Sequence, residues 1–286
     1  MKIIYLFCSC IFLIQSVQAK SVNETYSFHI EYTSLKGTVL KNVSQYTWRK
    51  NCPVDLSELI LLKMSYWGFD AKPHIGELIV HRKASPEVIL IFRELFERKF
   101  PISSINPMYE YHGSDDASML DNNTVAFNCR STTGYKNKFS KHSYGIAIDI
   151  NPVINPYYKD GKVLPPTAIE NIDRKKDIKG IIKKKGICYT AFKMKGWTWG
   201  GDWKTLKDYQ HFEKNLTLFD SEKKYSLKFE KLPSNSTVKI MNILRGYNTD
   251  KFLSRGLYDV KIISKNEVKR VWIKVDKNVF INYQNL

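Results

Sequence analysis

The chain is short of acid: 28 Asp and Glu stand against 45 Lys and Arg, giving a formal net charge of +17 over 286 residues. A field of that sign draws polyanions of any kind (nucleic acid, acidic lipid head groups, anionic wall polymers), although a lysine-rich surface also serves solubility alone. No helix-turn-helix, zinc-finger or RNA-recognition pattern accompanies the charge, which leaves specific nucleic-acid recognition without a carrier. Rossmann and P-loop glycine patterns are absent, and with them those phosphate cradles. There is no internal repeat or low-complexity tract to suggest a solenoid. Cysteine is scarce at five, no C-x-x-C occurs, and a Cys/His zinc cage therefore lacks its spacing. The adjacent aspartates Asp115 and Asp116 are not in EF-hand register. The longest apolar run, Ile3 to Ile14, is too short for a comfortable membrane span.

That run has the form of a secretory leader. Lys2 supplies the charged start, Ile3 to Ile14 the apolar stretch, and Val17-Gln18-Ala19 a small-residue cleavage site. The expected location is exported: periplasmic, extracellular or associated with a cell wall. Cys8 and Cys10 fall inside the leader, so Cys52, Cys129 and Cys188 remain for the mature chain. In an oxidising compartment three cysteines suggest one disulfide and one thiol. Cys52 opens the folded region and Cys129 stands beside Arg130, so Cys52–Cys129 is the candidate pair.

Tyr26 to Tyr32 alternates like a strand, Leu56 to Met64 is densely apolar, and Gly76 to His81 reads as a buried strand. A helix is predicted from Ser85, as cap, through Pro86 and Glu87 to about Lys99, with Pro101 stopping it. Residues 113–123 read as a polar loop, and 159–185 as a basic surface loop at the rim of a site. Ile187 to Lys195 is a short predicted helix, followed by an aromatic turn, Trp197 to Trp203. From Leu216 onward the texture becomes alternating strands, at 225–229, 258–262 and 271–275, with turn signals between them.

Two stretches carry chemistry. One is Ser140-Lys-His142-Ser-Tyr-Gly145-Ile-Ala147-Ile-Asp149, an S-x-H-x-x-G-x-A-x-D pattern; the other is Asp208-Tyr-Gln-His211-Phe-Glu213. His142, Asp149 and His211 provide two imidazoles and a carboxylate, enough for a catalytic zinc with a position left for water. Asp208, three residues before His211, is placed to act as general base or to orient that ligand. Glu213, on the same strand face as His211, competes for the role. His74 and His81 read as structural or solvated.

These motifs, taken in order, resemble the VanY-type zinc peptidases, a family that includes D-alanyl-D-alanine carboxypeptidases, dipeptidases and L-alanyl-D-glutamate endolysins. The resemblance runs from about Cys52 to Glu213. It takes in Ser65 to Asp70, Gly76 to His81, Phe100-Pro-Ile102, Phe127-Asn-Cys-Arg130, the His142 motif with Ile150-Asn-Pro152, Asn155-Pro-Tyr157, Trp199-Gly-Gly-Asp-Trp203 and the His211 motif. It implies His142, Asp149 and His211 as ligands of one Zn2+ per chain and Asp208 as general base. Arg130 would steady the substrate carbonyl and its oxyanion, and Ser140 would orient substrate. The implied fold is α+β, a small antiparallel sheet with packed helices carrying the zinc site, as in hedgehog and D,D-peptidase domains. The expected division is a signal peptide at 1–19, an N-terminal extension at 20–50, the zinc peptidase domain at 51–215 and a small all-β C-terminal module at 216–286.

The function implied is hydrolysis of amide bonds in peptidoglycan stem peptides, at D-Ala-D-Ala or L-Ala-D-Glu, with anionic wall polymers as further partners of the basic surface. The alternative is a zinc-fold protein that binds wall or polyanion without catalysis, as hedgehog-type domains bind without hydrolysing. A third reading puts the function in residues 217–286.

Overall fold

The computed structural model describes residues 26–135, 137–217, 223–242, 252–265 and 267–286. The expected leader at 1–19 lies outside them. Among the described residues no helix is long and apolar enough to cross a membrane. The architecture is mixed, with few helices and several small sheets.

The first sheet has the order β1-β2-β3, from Ile30–Ser34, Leu59–Trp67 and Pro73–His81, all antiparallel. In β2 only Lys63 is exposed, because both faces are covered and the strand sits between two neighbours. That is why 56–64 reads as continuous apolar sequence rather than as alternation. Helix α1 (Gly37–Asn42) follows β1, and α2 (Ser85–Glu97) packs its Val88, Phe92, Leu95 and Phe96 onto the sheet.

Two departures from the sequence reading concern helix starts. The N-cap of α2 is Ala84, and Ser85 instead bonds its own hydroxyl back to Arg82 O at 2.9 Å. Residues 113–123 are not simply loop: α3 (Asp115–Leu120) forms there, its first turn capped by Ser114 Oγ accepting from Ala117 N at 3.2 Å. Asp115 and Asp116 lie at the positive end of that helix, where carboxylates are favoured. α3 is bracketed by the short paired strands β4 (Ser104–Ile105) and β5 (Asn123–Thr124).

The strands that build the site are short. β6 (Ala147–Asp149) pairs antiparallel with β11 (His211–Glu213), which also pairs with β9 (Thr198–Trp199). Beside them β7 (Tyr157–Lys159), β8 (Lys162–Leu164) and β10 (Lys207–Asp208) form a second small sheet. The basic stretch 159–185 is thus partly ordered into β8 and a 3-10 turn at Pro166–Ile172. Arg174 explains how a segment so poor in apolar residues is held. It donates to Ile154 O, Asn171 O, Ile182 O and Asn155 Oδ1, and its guanidinium lies 4.4 Å from the centre of the Tyr209 ring. The sequence reading saw its charge and missed its fixed position. α4 (Ile187–Lys193) then leads to Gly196 and the aromatic turn.

The remaining strands are β12 (Leu227–Glu230), β13 (Thr237–Ile240), β14 (Gly256–Ile263), β15 (Val268–Val275) and β16 (Val279–Asn282). They form a β13-β14-β15 sheet and a parallel β12-β16 pair around a separate apolar cluster. They do not float free. Asp259 on β14, fully buried, takes a hydrogen bond from Tyr32 of β1 at 2.7 Å and a bidentate ion pair from Arg270. Leu257 belongs to the main core.

Cys52 and Cys129 are joined by a disulfide, with Cα atoms 6.0 Å apart, and Cys188 is a buried free thiol. A buried ion pair lies beneath the site: Lys214 Nζ donates to both Glu87 carboxylate oxygens, at 2.7 and 2.9 Å, while Trp197 Nε1 donates to Glu87 at 2.8 Å. Lys214 directly follows Glu213, so this pair fastens the end of β11 to the first turn of α2. Replacing Lys214 by Met removes the buried ammonium that donates to both Glu87 carboxylate oxygens, an expected loss of about 3–5 kcal/mol. It should appear as a lower urea midpoint at unchanged m-value, with most of the loss recovered when Glu87→Gln is added.

Candidate metal centre

Register creates the site. In the β6–β11 ladder His211 stands directly opposite Asp149, so an imidazole and a carboxylate meet across one strand pair. His142 arrives from a 3-10 turn at Lys141–Tyr144, capped by Ser140, whose Oγ accepts from His142 N at 3.3 Å. Gly145 ends that turn at φ +65°, and a Cβ there would lie 2.6 Å from His81 N. Its carbonyl accepts from that same N–H at 2.8 Å, so the turn docks flush on β3.

The three side chains are buried and their donor atoms lie within 4.8 Å of one another. His142 Nε2 is 3.1 Å from Asp149 Oδ2 and 3.2 Å from His211 Nδ1; His211 Nδ1 is 2.9 Å from Asp149 Oδ1. The far side of each ring is already committed. His142 Nδ1 faces Ala126 O at 2.5 Å, and His211 Nε2 faces Glu213 Oε2 at 3.1 Å. Both outer partners are acceptors, which assigns the ring protons to the outside and turns two lone pairs inward. Two imidazole nitrogens and a carboxylate converging in a buried space form a group that can hold a metal ion. The donor set, N, N and O from three protein groups, suits zinc with a further coordination position open.

When no metal is bound, a proton on His211 supplies the positive charge that the buried carboxylate attracts. Burial opposes ionisation of Asp149, but His142 and His211 together hold its carboxyl well below the usual carboxylate range. Burial also opposes a charged His211; hydrogen bonds to Asp149 and Glu213 outweigh it and push the imidazole up to about 10. Asp208 behaves differently. Burial raises it, His211 pulls against this, Asp149 adds to it, and it stands at about 6. Its Oδ1 has no hydrogen-bond partner among the described residues. Gly200 lets the chain pass this close, since a Cβ there would meet Asp208 O at 2.5 Å and Asp208 Cβ at 2.7 Å.

Asp208, His142 and His211 line one cleft of about 240 Å³ together with Arg130, Ser140, Tyr157 and Trp203. Arg130 is fixed at both ends. Ser143 Oγ accepts from its N–H at 2.9 Å and donates to its carbonyl at 2.7 Å, and the guanidinium is ion-paired with Asp115, which Asn128 also holds at 2.8 Å. Asp115 therefore belongs to the site's support, a role its loop-like sequence context hid. Glu213 backs His211 instead of facing the cleft as a free carboxylate. The ring of Trp203 lies 5.5 Å from that of His211. His74 pairs with Asp70 at 2.9 Å and His81 Nδ1 accepts from Lys83 N at 3.1 Å, both apart from the cluster.

Residues 133–214 match the family model described as D-alanyl-D-alanine carboxypeptidase. The match spans both motifs, with His142, Asp149, Asp208 and His211, and supports the VanY-like peptidase family that the motifs resemble. It begins after Arg130 and ends at Lys214. No solved structure matches the chain.

A raised imidazole leaves a signature in metal-depleted protein. Its contribution to stability is complete below the ordinary His value of 6.5 and is lost as pH rises through about 10. The thermal midpoint of the depleted protein should therefore fall from pH 6.5 to 10, and His211→Asn should flatten that slope.

Proposed function

We propose that the chain is an exported zinc peptidase that hydrolyses amide bonds in peptidoglycan stem peptides. The observation that carries the reading is the convergence of donor atoms of His142, Asp149 and His211 within 4.8 Å of one another, in the same cleft as Asp208, whose Oδ1 has no hydrogen-bond partner among the described residues. The family match over residues 133–214 supports the peptidase chemistry.

In this reading His142, Asp149 and His211 hold one Zn2+, which when bound acidifies water and polarises the scissile carbonyl. Asp208 accepts the proton of the attacking water and delivers it to the leaving amine; a carboxyl near 6 is well suited to both transfers. Arg130, pre-set by Asp115 and Ser143, donates to the carbonyl oxygen as negative charge develops there. Ser140 holds the His142 turn and offers a hydroxyl at the cleft wall. Glu213 fixes the His211 tautomer. The peptidase unit would occupy 51–215 and a β module 216–286, after a leader at 1–19 and an extension at 20–50. The surplus of lysine would favour an anionic wall.

Digestion of purified muropeptides, with products identified by mass spectrometry, tests the activity. Release of D-alanine marks carboxypeptidase action, and cleavage between L-alanine and D-glutamate marks endopeptidase action; no cleavage of either bond by metal-loaded protein rejects the proposal. Asp208→Ala should keep its metal and lose most turnover, at least ~100-fold, whereas His211→Ala should lose the metal itself by elemental analysis.

A further inference from the structure

The cleft has a wall that the chemistry above does not use. A loop, described at 131–135 and 137–139, is closed at its neck by a bridge between Ser131 and Phe139 and by Ser140 N donating to Arg130 O at 3.0 Å. Thr132 N donates to Lys138 O at 2.7 Å, and Tyr135 N to Thr132 O at 2.9 Å, so the loop stands on its own backbone bonds. Cys129, disulfide-bonded to Cys52, anchors its base. The loop contributes Thr132, Thr133, Tyr135, Lys138 and Phe139 to the same cleft as His142, His211 and Asp208.

Among the described residues three lysine and arginine side chains line this cleft: Arg130, Lys138 and Lys141. Two are already engaged. Arg130 is ion-paired with Asp115, and Lys141 Nζ donates to Asn215 Oδ1 while its charge lowers Glu213. Lys138 is exposed, and among the described residues its ammonium has no hydrogen-bond or ion-pair partner. The carboxylates lining the cleft, Asp208 and Glu213, belong to the centre. Lys138 thus presents a positive charge at the cleft wall with no neutralising partner among the described residues.

We propose that Lys138 is a specificity-determining residue that pairs with a free α-carboxylate on the substrate residue whose amine leaves. The assignment rests on the peptidase reading. It names one feature common to both candidate bonds. In a terminal D-alanyl-D-alanine, the carbon bearing the scissile nitrogen carries an unblocked carboxylate. In L-alanyl-D-glutamate linked onward through its side chain, the corresponding carbon does as well. One cation on one wall can read either, and would reject a substrate in which that group is amidated.

The test uses two matched pairs: a stem pentapeptide ending in D-Ala-D-Ala and its C-terminal amide, and an L-Ala-γ-D-Glu peptide and its D-isoglutamine form. Wild-type protein should favour at least one free acid over its amide by about ten-fold or more in kcat/KM, through KM, as loss of one charge-assisted hydrogen bond implies. Lys138→Gln should abolish that preference at unchanged metal content, and Lys138→Arg should keep most of it. Which pair shows the effect identifies the bond. Calorimetric binding of the same peptides to wild-type and Lys138→Gln protein reads the contact without turnover, so inactivity alone would reject the peptidase reading and not this one. Equal affinity for acid and amide in wild-type protein, or an undiminished preference in Lys138→Gln, overturns the assignment.

Discussion

Everything at the centre depends on one strand pairing, the three-residue ladder of β6 and β11 that sets Asp149 opposite His211. A slip of β11 by one residue would turn His211 to the other face of the sheet, away from Asp149, and disperse the donor set. So short a ladder cannot set its own register. Phe212, between the two polar positions, packs flat against Phe192 at 3.9 Å between ring centres, on the opposite face. The Glu87–Lys214 ion pair fixes the strand's exit, and the bond from Lys214 N to Ile146 O continues the pairing beyond it. Apolar packing on one face thus holds the polar constellation on the other.

The second constraint is the commitment of every outer valence. Ala126 O, Glu213, Asp115 and Ser143 hold the outer atoms of His142, His211 and Arg130 and so decide which atoms are left to face the cleft. Such partners convert flexible side chains into preset donors. The difference between Asp149 and Asp208 follows from the same logic. Asp149 is buried, embraced by two imidazoles, and stays ionised; Asp208 is half-buried, has no imidazole bonded to it, and desolvation raises it towards neutrality.

The clustering of His142, Asp149 and His211 was legible in the sequence because the residue types are chemically narrow and the spacing around glycine and alanine is local. Strands β2 and β3 and helix α2 were legible from apolar density. What escaped the sequence was long-range or carried by backbone. Ala126 enters the site through a carbonyl, which leaves no trace in residue type. Asp115 looked like loop because its partner, Arg130, is distant in sequence and near only in space. Arg174 read as one charge in a basic run, although it ties four acceptors together. The start of α3 was readable in principle, since Ser114-Asp-Asp-Ala117 is a cap followed by two acids.

The hydrogen bond from Tyr32 to Asp259 bears on what counts as the smallest intact unit. It joins a strand near the beginning of the described chain to one near its end, across the whole intervening sequence. Cutting away β1 would bare the edge of β2, a long apolar strand able to pair with any other chain. It would also take from a fully enclosed carboxylate one of its two donor residues. A fragment trimmed to the family-matched stretch would therefore carry His142, Asp149 and His211 without Arg130 and without the scaffold that keeps them in register.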